Sequence, residues 1–189
     1  MAGLPDWKLR EWGEGGGVKP WTPENLNPAS LNLTIGPGVM VEPSQAAALG
    51  LPGRAYDWAS GLFRVNLEDL PEQRLWVPSG GWILAEVAEW VKIPSDMEAV
   101  LCLRSSAARA GWDHCLAGYV DPGYEGRLTL ELVNCRRDCP LPLALGSQLI
   151  QIRLSRLEGI PETDYSKTGR YQGDTAVSGC KDLSVGGAK

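Results

Sequence analysis

"VDPGYEGRLTLELVN", residues 120–134, reads as a tight turn running into a strand. Asp121-Pro122-Gly123 supplies the turn, because proline presets the backbone of its second position and glycine accepts the conformation that follows. After it the side chains alternate. Leu128, Leu130 and Leu132 fall on one face, Thr129 and Glu131 on the other. A face open to water is the ordinary account of a carboxylate in the middle of such a run, and a face turned to a ligand is the alternative. The stretch alone leaves both readings open.

The same grammar extends in both directions. "ASLNLTIGPGVMVEPS" and "VPSGGWILAEVAEWVKIPSDMEAVLCLRSS" are short apolar runs punctuated by glycine and proline, which predicts an all-β domain of many short strands. "LPDWKLREWGEGG" predicts a short N-terminal helix closed by its glycines, and "PSQAAALGL" a helical turn. From about Glu158 the chain becomes polar and Gly-rich and ends in VGGAK. The expected organisation is a β domain with its N-terminal helix over residues 1–157. A tail over 158–189 follows, mobile until something is bound. No internal repeat is visible.

At 189 residues the chain corresponds to about one domain, large enough to bury a core without staples. A net charge of −5 argues against bulk attraction to nucleic acid, although a local arginine cluster can still hold a small anion. Five cysteines are an odd and sparse set. The N-terminus has no apolar signal core, and no apolar run approaches the ~18 residues of a membrane span. These features predict a cytoplasmic protein with no membrane partner. Eight tryptophans, concentrated before residue 113, are expected to serve core and subunit packing rather than ligand stacking.

Three segments carry chemistry. In "LRSSAARAG", Arg104 and Arg109 flank Ser105, Ser106, Ala107 and Ala108. Guanidinium forks beside small hydroxyls suit phosphate oxygens, though a helix cap and a solvated turn would look the same. In "LAGYVDPGYEG", the small Ala117 and Gly118 allow a planar ligand close to the backbone, while Asp121 is accounted for equally well as the first turn residue. Glu131 becomes a candidate general base if it stands near a water and that arginine–serine segment.

Taken in order, "RSSAARAG", "AGYVDPGYEGRLTLELVN", "LGSQLIQI" and "GRYQGD" resemble the deoxycytidine triphosphate deaminase family of the dUTPase superfamily, over roughly residues 18 to 180. Plain dUTPases share the first two motifs but generally carry an apolar residue where Glu131 stands. The resemblance implies a distorted jelly roll, or dUTPase-like β-barrel, that assembles as a homotrimer with active sites at subunit boundaries. It implies that Glu131 activates the water attacking C4 of cytosine and passes its proton to the leaving ammonia. Ser105 and Arg109 would hold that water and the tetrahedral centre, and Arg104 and Ser106 would bind phosphates. The backbone of Ala117 would help orient the water or base, and Thr129, Leu130 and Glu131 would line the base site. Tyr119 would belong to the substrate-binding set, Asp121 would hold the 3′-hydroxyl, and Gln151 would support the site from a neighbouring strand. Tyr165 and Arg170 on the tail would close over the triphosphate of dCTP or dUTP, and Asp174 would belong to the substrate-binding set. Magnesium (Mg2+) would arrive with the nucleotide. The zinc deaminase signature H-x-E…P-C-x-x-C is missing: His114 is the single histidine and "CRRDC" the one close cysteine pair, so no zinc is expected.

Gly118-Tyr119 stands where dUTP-releasing enterobacterial members carry His-Arg, so the chain is most similar to dUMP-forming members, in which Asp121 would also position a water against the α-phosphate. Several residues depart from the family pattern. Arg170-Tyr171-Gln172-Gly173-Asp174 replaces a common Lys-Tyr-Gln-Gly-Gln, the stretch between Tyr165 and Arg170 is shorter, and Ile150 stands where glycine is frequent. An aspartate beside phosphates is repulsive, so Asp174 is expected to point away, to join a metal, or to mark a substrate with fewer phosphates. A dUTPase without deaminase activity and a non-catalytic nucleotide-binding regulatory trimer are the rival readings.

Overall fold

The computed structural model describes residues 3–51 and 55–181. The last part of the expected tail, residues 182–189, lies outside the described residues. In chain order the strands are β1 (Val18–Lys19), β2 (Leu26–Asn27), β3 (Ser30–Leu33), β4 (Ile35–Val41), β5 (Tyr56–Asp57), β6 (Leu62–Asn66), β7 (Arg74–Val77), β8 (Trp82–Lys92), β9 (Met97–Leu103), β10 (Trp112–Asp113), β11 (Tyr119–Val120), β12 (Glu125–Asn134), β13 (Leu141–Ala144) and β14 (Ile150–Arg156). Among the described residues, four short α-helices accompany them: α1 (Asp6–Trp12), α2 (Pro43–Ala48), α3 (Ser105–Ala110) and α4 (Tyr165–Thr168). The predicted N-terminal helix and helical turn correspond to α1 and α2.

One sheet runs β10-β12-β8-β4-β6-β5, with β1 also paired to β8; a second runs β11-β9-β14-β3-β2; β13 and β7 form a separate hairpin-like pair. Every pairing is antiparallel. The short, turn-bounded runs predict an all-β domain and the resemblance implies a distorted jelly roll; the chain forms that mostly β fold.

The two large sheets share one core. Ile83, Ala85, Val87 and Val91 of β8 and Leu128, Leu130 and Leu132 of β12 meet Leu31, Leu33, Ala99, Leu101, Ile152 and Leu154 of the opposite sheet. Each such side chain removed from water contributes ~1.5–3 kcal/mol, which is why the alternating leucines fix the register of β12: a one-residue slip would exchange them for Thr129 and Glu131. A second, smaller apolar cluster lies on the other face of the first sheet, where Met40, Leu62 and Leu84 enclose Val177 of the C-terminal segment. That face is therefore covered by the chain's own tail. No helix among the described residues is long and apolar enough to cross a membrane.

Candidate active site

The turn before β12 is built as its sequence predicts. Tyr124 N–H donates to the carbonyl of Asp121 (3.2 Å), and Gly123 sits at φ +81°, a conformation that glycine adopts without strain. Gly123 N–H donates to the carbonyl of Ile93, and Ile93 N–H to that of Tyr124, pinning the turn to the end of β8. Beyond it, β12 alternates strictly, with Leu128, Leu130, Leu132 and Asn134 buried and Arg127, Thr129, Glu131 and Val133 partly exposed.

The outer face of β12 is only partly open to water. It forms the floor of a cavity of about 380 Å³, walled by Tyr119 and Asp121 from the turn region, Trp82 and Leu84 from β8, and Tyr165, Tyr171, Asp174, Ser178 and Cys180 from the tail. Glu131 lines this cavity with Arg127 and Thr129. Burial pushes the Glu131 carboxyl above its ordinary value, and it has no ion-pair partner among the described residues. A desolvated, unpaired carboxylate holds a proton more readily than a solvated one, the property a group needs to accept a proton from water and return it to a leaving group. Tyr119 donates its hydroxyl to Glu98 (2.9 Å); burial and that anion push its phenol up to about 12, so it remains a neutral donor.

The tail is held in place at several points. Arg127 N–H donates to the Asp174 carbonyl (2.7 Å) and Gly173 N–H to the Glu125 carbonyl (2.7 Å). Ser178 N–H reaches the Thr129 hydroxyl (3.3 Å). The Asp174 carboxylate is already engaged: it pairs with Lys181 Nζ (2.6 Å) and accepts from the Ser178 hydroxyl (2.6 Å). The anion that looks misplaced in the sequence is thus neutralised within the tail itself.

Residues 6–157 match the family model described as dCTP deaminase-like. The chain belongs to the dCTP deaminase-like family. Among curated relatives, a dCTP deaminase of Pyrococcus horikoshii is 33% identical over 174 residues, covering 92% of this chain and 94% of the relative. A dUMP-forming dCTP deaminase of Methanopyrus kandleri is 36% identical over 84% of this chain and 81% of its own length, and one of Aquifex aeolicus is 31% identical over 92% and 91%. Among solved structures, the 2′-deoxycytidine 5′-triphosphate deaminase of Agrobacterium tumefaciens shares the fold, with a TM-score of 0.60 at 24% identity, over 80% of this chain and 47% of that one.

Within this member of the dCTP deaminase-like family, one set of the expected site residues comes together and another does not. Glu131, Thr129, Asp121, Tyr119, Tyr165 and Asp174 share the cavity. Ser105, Ser106, Ala108 and Arg109 lie on exposed parts of α3, which Arg104 precedes and Gly111 closes at φ +110°. None of them lines the cavity. Ala107 packs into the core. Arg104 donates to the carbonyl (3.1 Å) and side-chain oxygen (2.9 Å) of Gln148. Gln151 accepts from Ser30 (2.8 Å), and Ala117 lies exposed in the loop before β11. Arg170 is exposed on the tail and its carbonyl accepts from Lys181. Leu130 is 2% exposed and its side chain belongs to the core, because it alternates with Glu131; only its backbone is available to a ligand.

Sequence reasoning passed over Arg127 and Glu86. The signal for Glu86 was present in "WILAEVAEW", a carboxylate inside an apolar run like the one at Glu131. Glu86 and Glu89 are both buried, on opposite sides of β8. Glu89 accepts from the Thr34 N–H (3.0 Å) and hydroxyl (2.8 Å), and burial raises its carboxyl.

Proposed function

We propose that this protein hydrolytically deaminates dCTP and carries the resulting dUTP on to dUMP and pyrophosphate. The observation that supports it most directly is the half-buried Glu131, without an ion-pair partner among the described residues, on the floor of a cavity it shares with Thr129 and Asp121. Water adds to C4 of the cytosine ring while Glu131 takes its proton. The same carboxyl delivers a proton to the amino group, the C4–N bond breaks, and ammonia leaves a uracil ring behind. Thr129 lines the base site, with the backbone of Leu130 and Ala117. Asp121 holds the 3′-hydroxyl, and in the second step it positions a water for attack on the α-phosphate.

The phosphate-binding half comes from a second copy of the chain. A homotrimer sets Ser105 and Arg109 of a neighbouring subunit against the water and the tetrahedral centre, with Arg104 and Ser106 toward the phosphates. Exposed apolar groups support such an assembly: Val100 and Tyr119 are paired across β9 and β11 at 39% and 59% exposure, and Leu116 is 92% exposed. Tyr165, Arg170 and the Asp174 clasp cover the triphosphate. Magnesium comes with the substrate's phosphate oxygens. The relatives named as dUMP-forming, and Gly118-Tyr119 before Val120-Asp121, favour dUMP over dUTP as the final product.

Incubation with dCTP and magnesium, with ammonia and nucleotide products quantified, tests this reading. Ammonia with dUMP and pyrophosphate is the expected result; ammonia with dUTP removes the second step. Pyrophosphate from dUTP without ammonia from dCTP would leave a dUTPase, and tight binding without turnover a regulatory protein.

A further inference from the structure

We infer that Glu86 is a positioning residue that anchors the C-terminal strap across the Glu131 cavity and sets Arg127 at its wall; the consequence for turnover rests on the deaminase reading, whereas the anchor itself does not. Glu86 is 4% exposed, lies on the outer face of β8, and stands directly opposite Thr129 of β12. A buried carboxylate is unfavourable unless it is paired and hydrogen-bonded. Three partners converge on this one. Gly38 N–H donates to it at 3.0 Å, Val177 N–H at 2.7 Å, and Arg127 Nη1 lies 3.6 Å away.

The surroundings are shaped for this carboxylate. A Cβ at Gly38 would stand 2.7 Å from the Glu86 oxygen, and one at Gly36 would stand 2.9 Å from its Cγ. Both glycines fall where β4 breaks register with β8, between Ile35 and Val39. The backbone there steps aside and its two glycines leave the space that the glutamate fills.

A carboxylate needed only to join β4 to β8 would have no use for the other two partners. Val177 belongs to the strap, with its side chain 3% exposed among Met40, Leu62 and Leu84, and its carbonyl accepts from Arg64 (3.0 Å). Three residues before it, Asp174 walls the cavity; one and three residues after it, so do Ser178 and Cys180. The Glu86–Val177 bond therefore fixes the midpoint of the covering segment. The Glu86–Arg127 pair fixes a cation on the cavity wall, two residues along β12 from Thr129 and four from Glu131. One buried charge thereby couples the closed strap to the orientation of a cavity group.

The test is Glu86→Gln, which keeps the shape and removes the charge. Amide hydrogen exchange of the peptide spanning 171–181 is followed by mass spectrometry in the nucleotide-free protein. We expect exchange there to accelerate at least about tenfold while exchange in β12 stays unchanged. With dCTP, KM rises by about tenfold and kcat falls by less than about threefold, the split of a group that holds the cover rather than reacts. If Glu86→Gln does not fold, Val177→Pro removes the same N–H and is expected to accelerate exchange likewise, whereas Val177→Ala, which keeps the N–H and only trims the side chain packed among Met40, Leu62 and Leu84, is expected to accelerate it less. Unaltered exchange in a folded variant overturns the anchor. Accelerated exchange with unchanged KM overturns the positioning role. Because exchange is measured without nucleotide, the anchor stands or falls on it whether or not the wild-type chain turns over dCTP.

Discussion

On the outer face of β12, Glu131 stands in a cavity whose walls come from β8, the turn at Asp121 and the tail. On α3, Ser105, Ser106 and Arg109 lie exposed on the protein surface. The two regions carry the two motifs on which the functional reading rests, yet they are finished to different degrees. The acid half is complete within one chain: its floor is a strand, its cover is held by backbone hydrogen bonds, and its carboxyl is already shifted by burial. The cation half offers exposed donors that lie outside that cavity. The difference teaches that desolvating a carboxylate requires only the folding of its own chain, whereas bringing arginines against a polyanion beside it requires a second surface.

The largest expected effect breaks the acid half. Glu131→Gln is expected to retain nucleotide binding and to lower ammonia release by ~10²–10⁴. Isothermal titration and a coupled ammonia assay check the two parts, and near-normal turnover would remove Glu131 as the base.

Breaking the cation half comes next. Ser105→Ala is expected to lower turnover by about 10², as loss of one donor to a developing tetrahedral centre does. The comparison is sharpened by mixing. Co-assembled Ser105→Ala and Glu131→Gln chains are expected to recover activity that neither has alone, because some sites then draw an intact half from each. No recovery in verified mixed oligomers would place both halves in one subunit.

A smaller effect is expected at the tail. Asp174→Gln removes the partner of Lys181 and of the Ser178 hydroxyl, so KM for dCTP is expected to rise by a few-fold, about 1 kcal/mol or less for a partly exposed clasp. Tighter binding in a titration would show instead that the carboxylate opposes phosphate.

The smallest effect is on stability. Burial raises the Glu131 carboxyl in the folded chain, so the folded state keeps this proton to higher pH than the unfolded state. The resulting stabilisation is fully present below the unfolded value of about 4.3 and is lost as pH rises through the folded value. Thermal unfolding of Glu131→Gln is therefore expected at a higher temperature than wild type near about pH 7.5, with the two converging near about pH 4. For the same reason the acid limb of the wild-type activity profile should lie above the ordinary glutamate range.

Much of the fold was legible because its signals are local. Alternation at Leu128, Leu130 and Leu132 gave β12, Asp121-Pro122-Gly123 gave the turn before it, and the glycines after Trp12 bounded α1. Asp121, Thr129 and Glu131 were legible as a site from motif order. The roles of Glu86 and Arg127 were not, because they arise between strands: Glu86 faces Thr129 only through the β8–β12 register, and its third partner lies 91 residues away in the tail. The meaning of Asp174 was likewise hidden, since Lys181 and Ser178 come near it only once the tail turns back on itself.

The order of residues by itself determined that β12 has a leucine face and a polar face, and that a carboxylate stands in the middle of the polar one. A period of two and a Pro-Gly turn need no distant partner to express themselves. Whether that polar face met water or a cavity was decided only in three dimensions. The tail packs Val177 against the outer face of the sheet and walls the cavity in which Glu131 is half-buried, and burial is a property of what covers a residue rather than of its neighbours in the chain.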